Sequence, residues 1–560
     1  MPTESFFSSA SLAFLPSGGA GKDTKAYSIK PTDGSGDFTF SRGSNLAATR
    51  VGPTGLIEKG RENLFKHSND FNQSVWIQSG TITSGQSGYD GTNNAWKFEN
   101  PSPTSSMYQS NTNSGVQTIS AYFKKNATYG VRFFAFGSSN ANTFFDLNNG
   151  VVVAQNNTID ASVEPVGTDW FRCSMTINQT NSRCDFYVTN NAQIQVLGHI
   201  TIQDAQLEIG LAATDYIESG ATTGKAGLLE DEPRFDYSGG ATCPSLLLEP
   251  SRTQLVKYSE LINPTISGLS WQQVNTNTFT NNYGIAPDGT QTSTLVQFAS
   301  ANSSSQLFYL INFSASVYTT SIWAKGSGSF KLGFFDNTNV LTDTITLSSE
   351  WQRFDVTKTT LAASGGRGAW LYPNADGDTI EIWGAQVEEG YYPTSYIPNH
   401  SGGSVTRESD GLDLNPLDQS YGSESTWFFE AERLPSDDLL NQTLGIFTNS
   451  GAVGAVNRFV VNSTGNGRLR VSVYDENGIS ENLFSNTDVF VKGQTTKFAL
   501  KIAAGNIALF INGNDPITET GLGVITGIDR VVTIEDTILK QFLVFPEALS
   551  NEDCKNLTTL

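Results

Sequence analysis

The chain has 560 residues, of which 38% are hydrophobic and 16% charged, and a formal net charge of −21. It is too long for one core and calls for three or four domains. So acidic a surface repels phosphate backbones, which argues against nucleic acid as a partner. The 53 glycines, with polarity carried by Ser, Thr, Asn and Gln, suit short strands and tight turns rather than helical bundles.

The opening residues, MPTESFFSSASLAFLP, lack a basic stretch and carry Glu4, so they do not read as a secretory signal. No apolar run reaches the ~18 residues of a membrane span. The expectation is a protein made in the cytoplasm, not exported by a cleaved signal and not inserted in a membrane. The first ordered module begins at ENLFKHSNDFNQSVW, Glu62–Trp76, and a second copy begins at RTQLVKYSELINPTISGLSW, Arg252–Trp271. Leu64 answers Leu255 and Ser68 answers Ser259; further on, SAYFKK (120–125) answers SIWAKG (321–326), and DWFR (169–172) answers EWQR (350–353). The spacing between matched blocks varies, as it does when loops change length and paired elements persist.

Both copies alternate with period 2, the mark of a half-buried strand. In the first, Ile119, Ala121 and Phe123 share one face and Thr118, Ser120, Tyr122 and Lys124 the other. In the second, Tyr318, Thr320, Ile322 and Ala324 oppose Thr319, Ser321, Trp323 and Lys325. Several such strands per copy predict a β-sandwich. Each copy ends on A-Q-[LV]-E followed by T-x-Y-I, in QDAQLEIGLAATDYIE (203–218) and WGAQVEEGYYPTSYIPN (383–399); T-x-Y-I is expected to be the last strand of each sandwich. Cys173 and Cys184, placed about the turn of FRCSMTINQTNSRCDFYV, could face each other across a hairpin, and packing as reduced residues is the preferred reading. After the Gly/Ser-rich PNHSGGSVTRESDG (398–411), a third unit opens with STWFFEAERL (425–434). RFVVNSTGNGRLRVSVYDENG (458–478) reads as a hairpin, KFALKIAAGNIALFINGN (497–514) as two more strands, and Ser550 as the N-cap of a short final helix.

Three stretches carry a resemblance: DFTFSRGSNLAATRVGPTGLIE (37–58), PRFDYSGGATCPSLLLEPSRTQLVKYSE (233–260) and GAQVEEGYYPTSYIP (384–398). They resemble segments that recur in tailed-phage virion proteins, which combine carbohydrate-binding-module-like jelly rolls with a laminin-G or concanavalin-A-like domain. The third unit resembles that last domain down to FLVFPEALSNEDCKNLT (542–558). The resemblance implies an all-β protein of three β-sandwich (jelly-roll) domains in series. It divides into a virion-docking or linker segment 1–61, sandwich 1 at 62–220, a linker 221–251 packing with the N-terminal segment, sandwich 2 at 252–400, and a concanavalin-A/laminin-G-like sandwich at 408–560. It also implies a virion location, other virion proteins and host surface glycans as partners, and a homo-oligomer with a trimer favoured. The chain departs from the pattern in one respect. Its ATRV…GLIE and PRFDY…LLLEP blocks, close together in such proteins, are separated here by the first sandwich.

Chemistry is sparse. His67, His199 and His400 lie far apart, and no metalloprotease, nucleophile-elbow or phosphate-loop pattern occurs. Glu430 and Glu432 share a strand face but read as solvent-facing, so the expectation is not an enzyme. Calcium is the one cofactor considered, at NADGDT (374–379) with Asp376 and Asp378 as oxygen ligands; an Asn/Asp/Gly turn is the plainer reading. For carbohydrate, an aromatic ring must lie against the apolar face of a sugar with polar groups beside it. Tyr122 with Lys124, and Trp323 with Lys325, occupy matched positions on the more polar sheet face and are the candidate binding residues, unless a loop or subunit covers the rings. Three readings follow: a fibre or receptor-binding adhesin that contacts host glycans, a capsid decoration or fibre-base protein with protein contacts only, and behind both a polysaccharide-degrading enzyme.

Overall fold

The computed structural model describes residues 4–17, 24–301, 304–434, 442–451, 454–465, 467–491 and 493–559. The rest, including residues 1–3 and 18–23 of the N-terminal segment, lie outside this description. Antiparallel strands build three β-sandwiches in chain order, and the described α-helices are Glu4–Ser9 and Asn551–Thr558. The second helix is capped as expected: Ser550 Oγ accepts the Asp553 N–H at 3.0 Å.

The first two sandwiches repeat one topology. In sandwich 1, one sheet runs Trp76–Gln78, Ser106–Ser110, Asn181–Asn190, Tyr129–Gly137, Ala141–Asp146, Val151–Asn156. The other runs Thr81–Gln86, Ala95–Asn100, Gly198–Ile209, Val116–Lys124, Trp170–Asn178, Asp160–Val166. Sandwich 2 keeps the order: Trp271–Val274, Gln306–Phe313, Ala363–Pro373, Ser329–Phe335, Asn339–Leu341 against Thr278–Thr280, Thr294–Gln297, Thr379–Glu389, Val317–Gly326, Gln352–Thr359. Cys173 and Cys184 fall on opposite sheets of sandwich 1, both free and buried in its core. The expected hairpin is thus a connection that crosses from one sheet to the other.

The doubled ending is a hydrogen-bonded lock, which corrects the reading of T-x-Y-I as a strand. The last long strands, Gly198–Ile209 and Thr379–Glu389, carry A-Q-x-E; T-x-Y-I is an irregular strap laid over them. Gln206 Oε1 accepts the Ile217 N–H at 2.6 Å, and its Nε2 donates to Glu208, which accepts the Thr214 N–H at 3.0 Å. In the second copy Gln386 accepts from Ile397 at 2.8 Å, and Glu388 accepts from Thr394 at 2.9 Å. From the other end of each module, Asn63 accepts the Leu207 N–H at 3.1 Å and Gln254 accepts the Val387 N–H at 3.0 Å. These amides and carboxylates are fully or nearly fully buried, and buried polar groups are tolerated when they are bonded in this way.

The third sandwich draws strands from far upstream. Leu12–Phe14 and Ser245–Leu248 pair end to end along one edge of Thr537–Phe545. In the facing sheet, Phe38–Ser41 pairs with Gly411–Leu414. Phe14, Phe38, Phe40, Phe235 and Leu246 are buried in the same core as Trp427 and Phe542, each contributing roughly 1.5–3 kcal/mol of burial. Segments 1–61 and 221–251 do touch, with Tyr237 N–H donating to Val51 O at 2.9 Å, but both also serve as strands of the last sandwich.

A buried ionic hub joins these parts. Arg234 pairs with Glu249 at 2.8 Å and with Asp410; Arg42 pairs with Asp410 at 3.3 Å; Arg407 pairs with Glu249. Ser395, in the strap of sandwich 2, donates its N–H to Glu249 at 2.8 Å.

Candidate functional site

The strand Tyr129–Gly137, YGVRFFAFG, alternates from Val131 to Phe136. Val131, Phe133 and Ala135 enter the core of sandwich 1, while Arg132, Phe134 and Phe136 stand on the outer face, half-buried. Pairing sets what surrounds them. Arg132 lies opposite Tyr187 on one side and Phe144 on the other; Phe134 opposes Asp185; Phe136 opposes Arg183; Asp185 in turn opposes Tyr108. The result is a sheet face of rings with two guanidinium groups laid over them. Arg183 sits 3.9 Å from the Phe136 centroid and 4.4 Å from that of Tyr108; Arg132 sits 4.3 Å from Phe134 and 5.1 Å from Phe144. Each such contact contributes about 0.5–1 kcal/mol where water reaches it.

Arg183 is also paired with Asp185 at 2.9 Å, and Ser106 Oγ donates to the same carboxylate at 2.9 Å. Burial pushes the Asp185 carboxyl up, and the Ser106 bond and the Arg183 charge only partly pull it back.

Sandwich 2 repeats the pattern at the same register positions. Arg367 opposes Phe335 as Arg183 opposes Phe136, and Lys331 opposes Tyr372 as Arg132 opposes Tyr187. The Arg367 guanidinium lies 4.2 Å from the Phe308 centroid and 5.2 Å from those of Phe335 and Trp370. A bulge centred on Ala369 (φ 42°) places Trp370 near the position that Asp185 holds in the first copy. Gln306 Oε1 accepts from both Arg367 Nη1 at 2.8 Å and Trp370 Nε1 at 2.9 Å.

The residues expected from sequence lie on the other sheet. The strand Val116–Lys124 is buried along its length except at Lys124. Tyr122 is 9% exposed, with Tyr89 stacked on it at 4.1 Å and 13° and Arg172 over the ring at 5.3 Å. The anticipated open platform is therefore closed, because the loop bearing Tyr89 covers the ring. Trp323 is half-buried beside Ile57, Trp351, Trp383 and Tyr396. Lys325 reaches Glu381 at 3.4 Å and stands 4.8 Å over Trp351, while Lys124 is half-buried with no bond to the tyrosine beside it.

Asp376 and Asp378 do not converge on a common point: Asp378 accepts the N–H groups of Asn374 and Ala375 at 3.2 and 2.7 Å, and Asp376 that of Ala301 at 2.5 Å. This is the bonding of a polar turn. Among the described residues no three His, Cys, Asp or Glu side chains gather as metal ligands. The histidines stand apart: His199 packs edge-on to Tyr129, and His400 is buried 3.6 Å from Glu260. Glu430 and Glu432 are half-buried, the latter 3.5 Å from Lys540.

Between the first two sandwiches runs a cleft of about 900 Å³, walled by Arg50, Glu58, Asp160, Glu164 and Asp215 among others and bridged by Asn282 Nδ2 donating to Asp160 at 2.8 Å.

No family model matches the chain, and no curated protein matches it. Among solved structures, a carbohydrate-binding module of the Ruminococcus gnavus sialidase bound to α2,3-sialyllactose is 13% identical over 26% of this chain and 95% of its own, at a TM-score of 0.21. A heptameric pentraxin from Limulus polyphemus is 14% identical over 26% of this chain and 73% of its own, at 0.21. Domain 4 of an extracellular arabinanase from Geobacillus stearothermophilus, in complex with arabinotriose, is 13% identical over 28% and 77%, at 0.21. At these scores the likeness is one of outline over about a quarter of the chain, and no ligand follows from it.

Proposed function

We propose that this chain is a non-catalytic glycan-binding protein whose binding surfaces are the outer aromatic–arginine faces of its first two sandwiches. In keeping with the resemblance to tailed-phage proteins, it acts on the virion as a fibre or receptor-binding adhesin, assembled with other virion proteins as a homo-oligomer. The observation that carries the binding reading is the recurrence of one grid at matched register positions: Arg183 between Tyr108 and Phe136, and Arg367 between Phe308 and Phe335. Tyr108, Phe136 and Phe335 are half-open on the sheet, whereas Phe308 is buried against Arg367; the open rings supply flat apolar surface, and the guanidinium groups beside them supply donors for hydroxyl and carboxylate oxygens. A single stack contributes about 0.5–1.5 kcal/mol beyond its area, so useful attachment depends on many faces acting together.

The alternative is a decoration or fibre-base protein with protein contacts only. It is favoured by the same composition, since aromatic residues and arginine also concentrate at protein interfaces. A host-glycan array separates the two. Wild type and a Leu361→Ala control, altered at a side chain 59% exposed, should bind the same glycans, and Phe134→Ala/Phe136→Ala should lose those held by the sandwich 1 face. Binding by none of the three leaves the protein-contact reading.

A further inference from the structure

The two faces differ in charge, and the difference points to a ligand. In sandwich 1, Asp185 pairs with Arg183. In sandwich 2, Trp370 stands in its place, and the six strands of that sheet, Ile345–Thr346 included, contain no Asp or Glu at all. This occurs in a chain of net charge −21, and the strands of this sheet carry the cations Lys331 and Arg367 and no acid. Arg367 donates to Gln306 alone among the described residues, so further N–H groups of its guanidinium fork stay open. Lys331, half-buried and opposite Tyr372, forms no hydrogen bond or ion pair among them. Leu310, opposite Arg367 and 38% exposed, supplies apolar surface at the edge.

The geometry points to a carboxylate-bearing saccharide as the ligand of the sandwich 2 face. Arg367, held against Phe308 and Phe335, presents its fork to one carboxylate; Lys331, four residues along the strand from Phe335, meets a second carboxylate of the same saccharide; successive sugar rings lie on Phe335 and Tyr372. A planar fork fits a carboxylate in two-point contact, and no neighbouring acid competes for it. On the sandwich 1 face Asp185 already pairs with Arg183 at Nε and sets a negative charge among the rings, which leaves a surface better matched to neutral sugar.

This inference rests on the glycan-binding reading, and titration calorimetry on the full chain can separate their failures. The probes are oligosaccharides of galacturonic and glucuronic acid, each with a neutral counterpart of equal length. The acidic probes should bind at least about tenfold more tightly than the neutral ones, as one added charge-assisted bond allows, and should weaken as ionic strength rises. Lys331→Gln, which breaks no contact of the fold, should weaken acidic probes by roughly fivefold, the scale of an exposed ion pair, and leave neutral ones unchanged. Arg367→Gln should weaken them further. Equal affinity for acidic and neutral probes, or no effect of Lys331→Gln, overturns the inference and leaves the glycan-binding reading standing. Binding of no saccharide overturns both.

Discussion

Sandwiches 1 and 2 share their frame and differ on their faces. The frame is held by matched side chains: Gln206 and Gln386 bonding the straps from the last long strands, Asn63 and Gln254 at the module starts, and Arg172 and Arg353 donating to Ser120 and Ser321 at 3.2 and 2.9 Å. The faces keep an arginine between two rings and change its neighbours, Asp185 in one copy and Trp370 in the other. The frames are interchangeable in their bonding and the faces are not, so what distinguishes the copies functionally is found on the outer sheet.

The widest break in the comparison is removal of what neither copy holds. Deleting residues 1–60 takes Leu12–Phe14 and Phe38–Ser41 out of the third sandwich, and with them three buried phenylalanines contributing about 1.5–3 kcal/mol each. The truncated chain should lose a folded third sandwich, seen as rapid proteolysis of residues 408–560 while the first two persist. A stable, protease-resistant truncation would show these strands to be dispensable and would restore the picture of a detachable docking segment.

Next comes the hub, which grips only one strap. Ser395 binds Glu249, whereas the matching residue in the first strap, Asp215, faces the cleft. Glu249→Ala leaves Arg234 and Arg407 buried without this partner and should cost about 3–5 kcal/mol, measured by chemical denaturation, with exchange protection lost in the strap of sandwich 2 and kept in that of sandwich 1. Burial raises the Glu249 carboxyl, but Arg407, Arg234 and the Ser395 bonds outweigh it and hold it well below the usual carboxylate range. Its folded pKa lies below its unfolded one, so its stabilisation is present above the unfolded value and is lost as pH falls through the folded one. Glu249→Ala should therefore flatten the acid limb of the stability profile; an unchanged limb would assign acid sensitivity elsewhere.

A smaller and equal effect is expected where the copies match. Gln206→Ala and Gln386→Ala each leave buried backbone groups unbonded and should each cost about 2 kcal/mol. Losses that differ widely between the two would mean that the frames are not equivalent.

The repeat, the strand-rich fold and the Ser550 cap were legible in the sequence because they rest on local spacing. The binding face was not. In YGVRFFAFG, Phe133 enters the core and Phe134 faces out, yet both are phenylalanine, so the alternation that separates the faces leaves no trace in polarity. The polar face beneath Tyr122 and Trp323 misled for the converse reason. Alternation reports which face opposes the core, not whether anything covers it, and Tyr89 and the straps do. Strands as short as Leu12–Phe14 carry too few residues to show a period, and their partners lie at the far end of the chain.

The most direct test of the central claim is glycan-array binding by the intact chain after the sandwich 1 face alone is stripped, as Tyr108→Ala/Phe134→Ala/Phe136→Ala, with the melting temperature read alongside. The three rings are half-buried and face outward, so the fold should hold. Binding of neutral glycans should fall by at least about tenfold, the sum of several ring contacts of 0.5–1.5 kcal/mol, with acidic glycans still held by sandwich 2. Unchanged neutral-glycan binding by a folded variant would contradict the account.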